Sequence, residues 1–180
     1  ETEGWAITGI GREPQMDVAP AIRSATHILS TVAPDGNVDP ILAAYGDPLA
    51  EDGNRWIGYL SSTGVYGNTE GAWVDESATI GGSEREARVA ADMAWQGLGA
   101  HIFRLPGIYG PGRSALERVR EGKAHRIDMP GQIFSRVHVD DIVWAICASF
   151  DAPSGVYNIA DDAASPQNAV IEYACDLLGL

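Results

Sequence analysis

The chain has 180 residues, 45% apolar and 21% charged, which suits one globular domain able to bury a substantial core. Its formal net charge of −13 excludes the basic face that binding to a phosphate backbone requires, so nucleic acid is not an expected partner. No run reaches the ~18 apolar residues of a membrane span. The two cysteines, Cys147 and Cys175, lie in apolar helical patterns without Cys-x-x-Cys spacing. A reducing, cytoplasmic setting without a membrane is therefore expected, and no metal.

Short apolar runs alternate with helical patterns along the chain, as in an α/β fold with a parallel sheet. Trp5–Ile10 reads as the first strand. Gly9 and Gly11 follow the start of a dinucleotide fingerprint, but Pro14 takes the third glycine position and no helix follows. The segment is therefore read as the second strand of a dinucleotide fold, with Arg12 at its end. Arg12 is either placed to pair with a ribose 2′-phosphate or is an exposed loop arginine. His27–Val32 is the next strand. It ends in Ser30-Thr31-Val32-Ala33-Pro34, a turn suited either to ribose contacts or simply to closing the strand. A short helix is expected over Val38–Leu49. The strand Arg55–Ser61 then delivers Ser61, Ser62 and Thr63 to a sheet edge, before a tight turn through Gly64 and Gly67.

A helix is predicted over Glu84–Gly97. Ser83-Glu84-Arg85-Glu86 forms its capping box, and Gly97 and Gly99 mark its end. After it come a strand at His101–Leu105 and a helix at Ser114–Glu121. A further helix at Asp140–Phe150 is capped by its own carboxylate, with His138 ordering the preceding loop. Val156–Ile159 is the last strand, and Asn168–Leu178 the last helix, stopped by Gly179.

Four blocks, in order, carry a family resemblance: Ser61-Ser62-Thr63-Gly64-Val65-Tyr66-Gly67, Arg104 through Tyr109-Gly110-Pro111, His138-Val139-Asp140-Asp141, and Gly155-Val156-Tyr157-Asn158-Ile159. Together they resemble the extended short-chain dehydrogenase/reductases, the NAD-dependent epimerase/dehydratase family. The resemblance implies a Rossmann-type doubly wound parallel sheet with a small C-terminal substrate lobe, all in one domain over 1–180. The sheet core would cover about 1–108, and the lobe elements about 109–138 and 160–180. It also implies a Gly-rich βα unit ahead of residue 1 and more substrate-lobe sequence after Leu180. Without that unit, dinucleotide affinity is expected to be weak. The implied cofactor is NADP or NAD, with Arg12 leaning towards NADP. Its contacts would be Arg12, Thr31, Val32, Ala33, Ser61, Ser62, Arg88, Pro106, Gly107, Ile108 and Tyr109. Arg113 and Arg136 are candidates for substrate binding, because guanidinium forks suit phosphate or carboxylate.

One part of the family pattern is absent. Hydride transfer in the family uses a Ser/Thr with a Tyr-x-x-x-Lys pair on one helix face. No tyrosine or lysine occurs between Gly67 and His101. The family spacing puts Glu84 at the tyrosine position, Arg88 at the lysine position and Asp92 at an acidic position beyond. Arg88 can act as a fixed cation but cannot tune a neighbour by losing a proton. The catalytic candidates are then Ser62, Thr63, Tyr66, Glu84 and Arg88. The departure matches the atypical branch of the superfamily. It leaves two expectations: an atypical oxidoreductase or sugar-nucleotide-modifying enzyme, or a non-catalytic NAD(P)-sensing regulatory module. The expected partners are a small-molecule substrate or nucleotide, with a homodimer left open.

Overall fold

The computed structural model describes residues 4–12, 17–51, 53–82 and 86–180. The first elements are α1 (Ala19–Ser24), β1 (His27–Ser30), α2 (Pro40–Ala50), β2 (Trp56–Ser62), a 3-10 turn (Thr63–Tyr66) and α3 (Glu86–Gly97). They are followed by β3 (His101–Leu105), β4 (Gly107–Tyr109), α4 (Ala115–Arg120), β5 (Arg136–His138), α5 (Val139–Ala148), β6 (Val156–Asn158) and α6 (Gln167–Leu178).

Local chemistry sets the helix ends. Pro40 opens α2, where its missing N–H costs nothing, and the Asp39 carboxylate accepts from the amides of Ile41 and Leu42. Pro48 inside α2 coincides with a kink at Tyr45. Ser114 and Glu117 form a reciprocal capping box on α4, and Gly179 ends α6 in the left-handed conformation. Ser83, Glu84 and Arg85, most of the capping box expected for α3, lie outside the described residues.

The main sheet is parallel, in the order β1-β2-β3-β6. Its two faces are both covered, which is why β2 and β3 are buried almost throughout. On one face Ile57, Tyr59 and Ile102 pack under Val18, Ile22, Leu49, Ala91 and Trp95, from α1, α2, α3 and their flanks. On the other, Trp56, Phe103 and Leu105 meet Val137 and Ile142 of β5 and α5. This is the doubly wound, Rossmann-like α/β arrangement. Asp39 also ties α2 to α3, since its second oxygen accepts from the Trp95 indole at 2.9 Å.

A two-stranded parallel sheet, β4-β5, stands beyond the end of β3. α4 packs against α6 beside it, and Asn168 brackets the backbone of Ile127 from both sides, at 2.9 and 2.8 Å. The sequence places no strand at Gly107–Tyr109, where β4 forms. Three residues starting at a glycine carry little strand propensity, and their extended state comes from a partner nearly thirty positions away. The expected strand Trp5–Ile10 also differs. Residues 5–11 make no ladder pairing with described residues; Trp5 instead stacks near His27 and Phe150, and Ile7 is exposed. An alternating sequence becomes a strand only where a neighbour supplies the ladder.

The turn after β2 depends on one glycine. Gly67 has φ 71°, and a Cβ there would stand 2.7 Å from the Gly81 carbonyl oxygen. The same loop is stitched down by the Gly81 amide donating to Val65.

Tyr59 gives the core a pH signature. Its phenol is pushed up to about 12, first by burial and then by the negative charge of Asp39. An unfolded tyrosine titrates near ~10, so the folded chain keeps a proton that the unfolded chain releases. The stabilisation is complete below pH ~10 and is lost as pH rises through about 12. Denaturant titrations between pH 9 and 12 are expected to show stability falling with pH, and Tyr59→Phe to flatten that slope; an unchanged slope would contradict the assignment.

Candidate functional site

A buried polar network organises the carboxyl ends of the strands. Arg104 of β3 and Asp92 of α3 form a two-pronged pair, Nε–Oδ2 at 3.1 Å and Nη2–Oδ1 at 2.8 Å, with both side chains essentially inaccessible. Ser61 of β2 donates to the same carboxylate at 2.5 Å, and Gln96 donates to it at 2.7 Å. The third arm of Arg104 reaches the Tyr66 hydroxyl at 3.0 Å, and that hydroxyl donates to Asn158 of β6 at 2.7 Å. Burial opposes the charge on Arg104, yet the hydrogen bonds to Asp92 and Tyr66 outweigh it and raise its pKa. One network therefore joins β2, β3, β6, α3 and the 3-10 turn.

Above it lies a cleft of about 320 Å³, lined by Thr31, Ala33, Leu60, Ser61, Ser62, Arg88, Leu105, Pro106, Gly107, Ile108 and Arg113. These residues come from the carboxyl ends of three adjacent parallel strands, from α3, and from β4 and the turn after it. That is where open α/β sheets bind ligands. Among the described residues, two guanidinium groups line the cleft and no carboxylate does, although the chain is strongly acidic. Its chemistry is that of an anion-accepting site.

Nine residues expected from the sequence meet at this cleft: Thr31, Ala33, Ser61, Ser62, Arg88, Pro106, Gly107, Ile108 and Arg113. The two neighbouring serines differ in what they have left to offer. Ser61 has committed its proton to Asp92. Ser62 accepts the Gly64 amide at 3.1 Å, as the cap of the 3-10 turn, and keeps its own proton for a ligand oxygen.

The other candidates stand elsewhere. Val32 and Thr63 are half-buried neighbours of cleft residues, and the Tyr66 phenol faces inward to Arg104 and Asn158. Tyr109 packs edge-on against His138. Arg136 is held by the carbonyls of Phe134 and Ser165, the Ser165 hydroxyl and Gln167. Arg12 is exposed, bonded to the Ala33 carbonyl at 3.2 Å and 3.5 Å from Asp35. Glu84 lies outside the described residues. The sequence reading missed the apolar walls Leu60 and Leu105 and the network beneath. A signal for the network was available: Asp92 sits between Ala91 and Trp95 on the buried face of α3, where a carboxylate demands a partner.

The fold is shared with nucleotide-sugar enzymes. A dTDP-glucose 4,6-dehydratase from Bacillus anthracis, solved in complex with NAD, superposes with a TM-score of 0.71 at 20% identity over 86% of this chain and 57% of its own. A UDP-N-acetylglucosamine 4-epimerase from Methanobrevibacter ruminantium, in complex with UDP-N-acetylmuramic acid, gives 0.77 at 17% identity over 92% and 64%. The chain thus spans less than two thirds of the length of either enzyme. A functionally unknown conserved protein from Silicibacter pomeroyi is nearer, at 42% identity and a TM-score of 0.87, covering 99% of this chain and 72% of its own. The chain belongs to the same family as that Silicibacter protein. No protein-family model and no curated protein matches the sequence.

The network makes a direct prediction for stability. Asp92→Ala leaves a buried guanidinium without its counter-charge and is expected to cost about 3–5 kcal/mol in urea denaturation. The double variant Asp92→Leu with Arg104→Met is expected to recover most of that loss, whereas Tyr66→Phe costs about 1–2 kcal/mol. Equal losses in the single and double variants would contradict a coupled pair.

Proposed function

We propose that the chain is an NAD(P)-binding protein of the epimerase/dehydratase type, with the cleft as its cofactor and substrate site. The carrying observation is the convergence of three strand ends, a serine hydroxyl and two arginines on one cleft. The residues present fit a dinucleotide. Backbone at Ala33 and Pro106–Ile108 lines the walls, and Thr31 supplies a hydroxyl. The buried Ser30 hydroxyl, one residue earlier, has no partner among the described residues. The NAD and nucleotide-sugar ligands of the structural neighbours support the same reading.

The cofactor, when bound, would supply hydride exchange with a carbon bearing a hydroxyl or carbonyl. Ser62 then donates a hydrogen bond to the substrate oxygen, fixed in direction by the Gly64 amide that it accepts. Arg88 and Arg113 contribute permanent positive charge. Arg12, beside the Ala33 carbonyl at the edge of the site, favours NADP through its guanidinium. The substrate class is a nucleotide sugar or a related small carbonyl or alcohol compound.

A second reading is supported by what lines the cleft: none of the described lining residues is a Tyr, Lys, His, Asp or Glu. A site without a group to exchange protons suits a non-catalytic module that senses NAD(P). Fluorescence titration of the full-length protein with NADPH and NADH tests both readings, and no binding up to ~100 μM would overturn both. Ser62→Ala is expected to leave NADPH affinity within about twofold and to lower kcat by ~100-fold on a carbonyl substrate. Turnover unaffected by Ser62→Ala would exclude its role, and binding without turnover favours the sensor.

A further inference from the structure

The carboxylate that follows each cleft arginine by four residues is committed elsewhere. Asp92 stands four residues after Arg88, the usual position for an ion pair along a helix. It is instead buried, and both its oxygens are taken by Arg104, Ser61 and Gln96. Glu117 stands four residues after Arg113. Its oxygens accept from the amides of Gly112 and Ser114, at 2.9 and 2.8 Å, and from the Ser114 hydroxyl at 3.1 Å. Those bonds, led by the Ser114 and Gly112 amides, also hold the Glu117 carboxyl below its usual pKa. Among the described residues, neither the Arg88 nor the Arg113 side chain has an ion-pair or hydrogen-bond partner.

Both guanidinium groups are carried on fixed backbone. Arg113 is bridged to Gly110 through both amides, at 3.2 and 3.0 Å, and leads directly into the capping box of α4. Arg88 rides on α3, which Asp92 anchors to β3 through Arg104 and Trp95 anchors to β2 by stacking on Tyr59. Both cations line one cleft of about 320 Å³, and among the described residues neither is paired. An anion bound in the cleft would supply the counter-charge. Guanidinium forks match the two oxygens of a carboxylate or phosphate.

We propose that Arg88 and Arg113 form an oxyanion subsite for the substrate, so that the substrate carries a carboxylate or phosphate group next to the carbon presented to Ser62. This rests on the reading of the cleft as a joint cofactor and substrate site. The competing source of the same chemistry is the cofactor's own phosphates.

The test uses full-length protein titrated calorimetrically with inorganic phosphate and with malonate at constant ionic strength, with and without saturating NADPH. Both anions are expected to bind. Arg88→Gln and Arg113→Gln are each expected to weaken them about tenfold or more, and Lys123→Gln, an exposed charge outside the cleft, to change nothing. Binding is expected to persist with NADPH present, and Arg113→Gln to leave NADPH affinity unchanged. No anion binding, or equal binding by all variants, would overturn the subsite. Anion binding abolished by NADPH, with Arg113→Gln weakening NADPH to the same degree, would assign the arginines to the cofactor and overturn the substrate assignment. Should the anions bind as expected while NADPH does not bind at all, the cofactor reading fails and the subsite stands.

Discussion

Asp92 and Arg104 face each other inside the protein, and several elements at the cleft are tied to that pair. β2 contributes the Ser61 hydroxyl, the 3-10 turn contributes Tyr66, and Tyr66 carries the connection on to Asn158 of β6. A charge pair in the interior gives up its hydration, so it persists only when its remaining lone pairs and protons are satisfied. Here they are satisfied by the groups whose positions matter for the surface above. Moving β2, β3 or α3 by an ångström would break a bond to a buried charge, and moving β6 would break the Tyr66–Asn158 bond. The strand ends, and the cleft they line, are therefore held in one arrangement.

The same network divides labour between adjacent serines. Ser61 points its hydroxyl into the interior and becomes part of the frame, whereas Ser62 turns to cap Gly64 and keeps a proton for the cleft. The network also consumes the acid four residues after Arg88, just as the α4 capping box consumes the acid four residues after Arg113. Among the described residues, the cleft of this acidic chain is lined by no carboxylate, and these two acids are committed to structure. The positive character of the site is a consequence of how the fold satisfies its own hydrogen bonds.

Much of this was legible in the sequence. His101–Leu105 read as a buried strand because it is a compact, largely apolar run bounded by Ala100 and Pro106, and the strand-end hydroxyls at Thr31, Ser61 and Ser62 were placed on the correct edge. Short-range signals of this kind survive folding. The network did not show, because Tyr66 and Asn158 are 92 positions apart and the geometry joining them exists only once the sheet is assembled. Arg136 shows the opposite limit. It looked like a free fork for an anion, yet tertiary folding brings Ser165 and Gln167 to it from about thirty residues away. β4 was hidden for the same reason, since its partner strand supplies what its residues lack.

Amide chemical-shift mapping during NADPH titration tests the account most directly, because it reports where the ligand sits independently of any reaction. Shifts are expected to concentrate at Thr31–Ala33, Ser61–Gly64, Arg88 and Gly107–Ile108, the strand ends above the Asp92–Arg104 pair. Saturable shifts clustered away from those residues, with the strand ends silent, would contradict it.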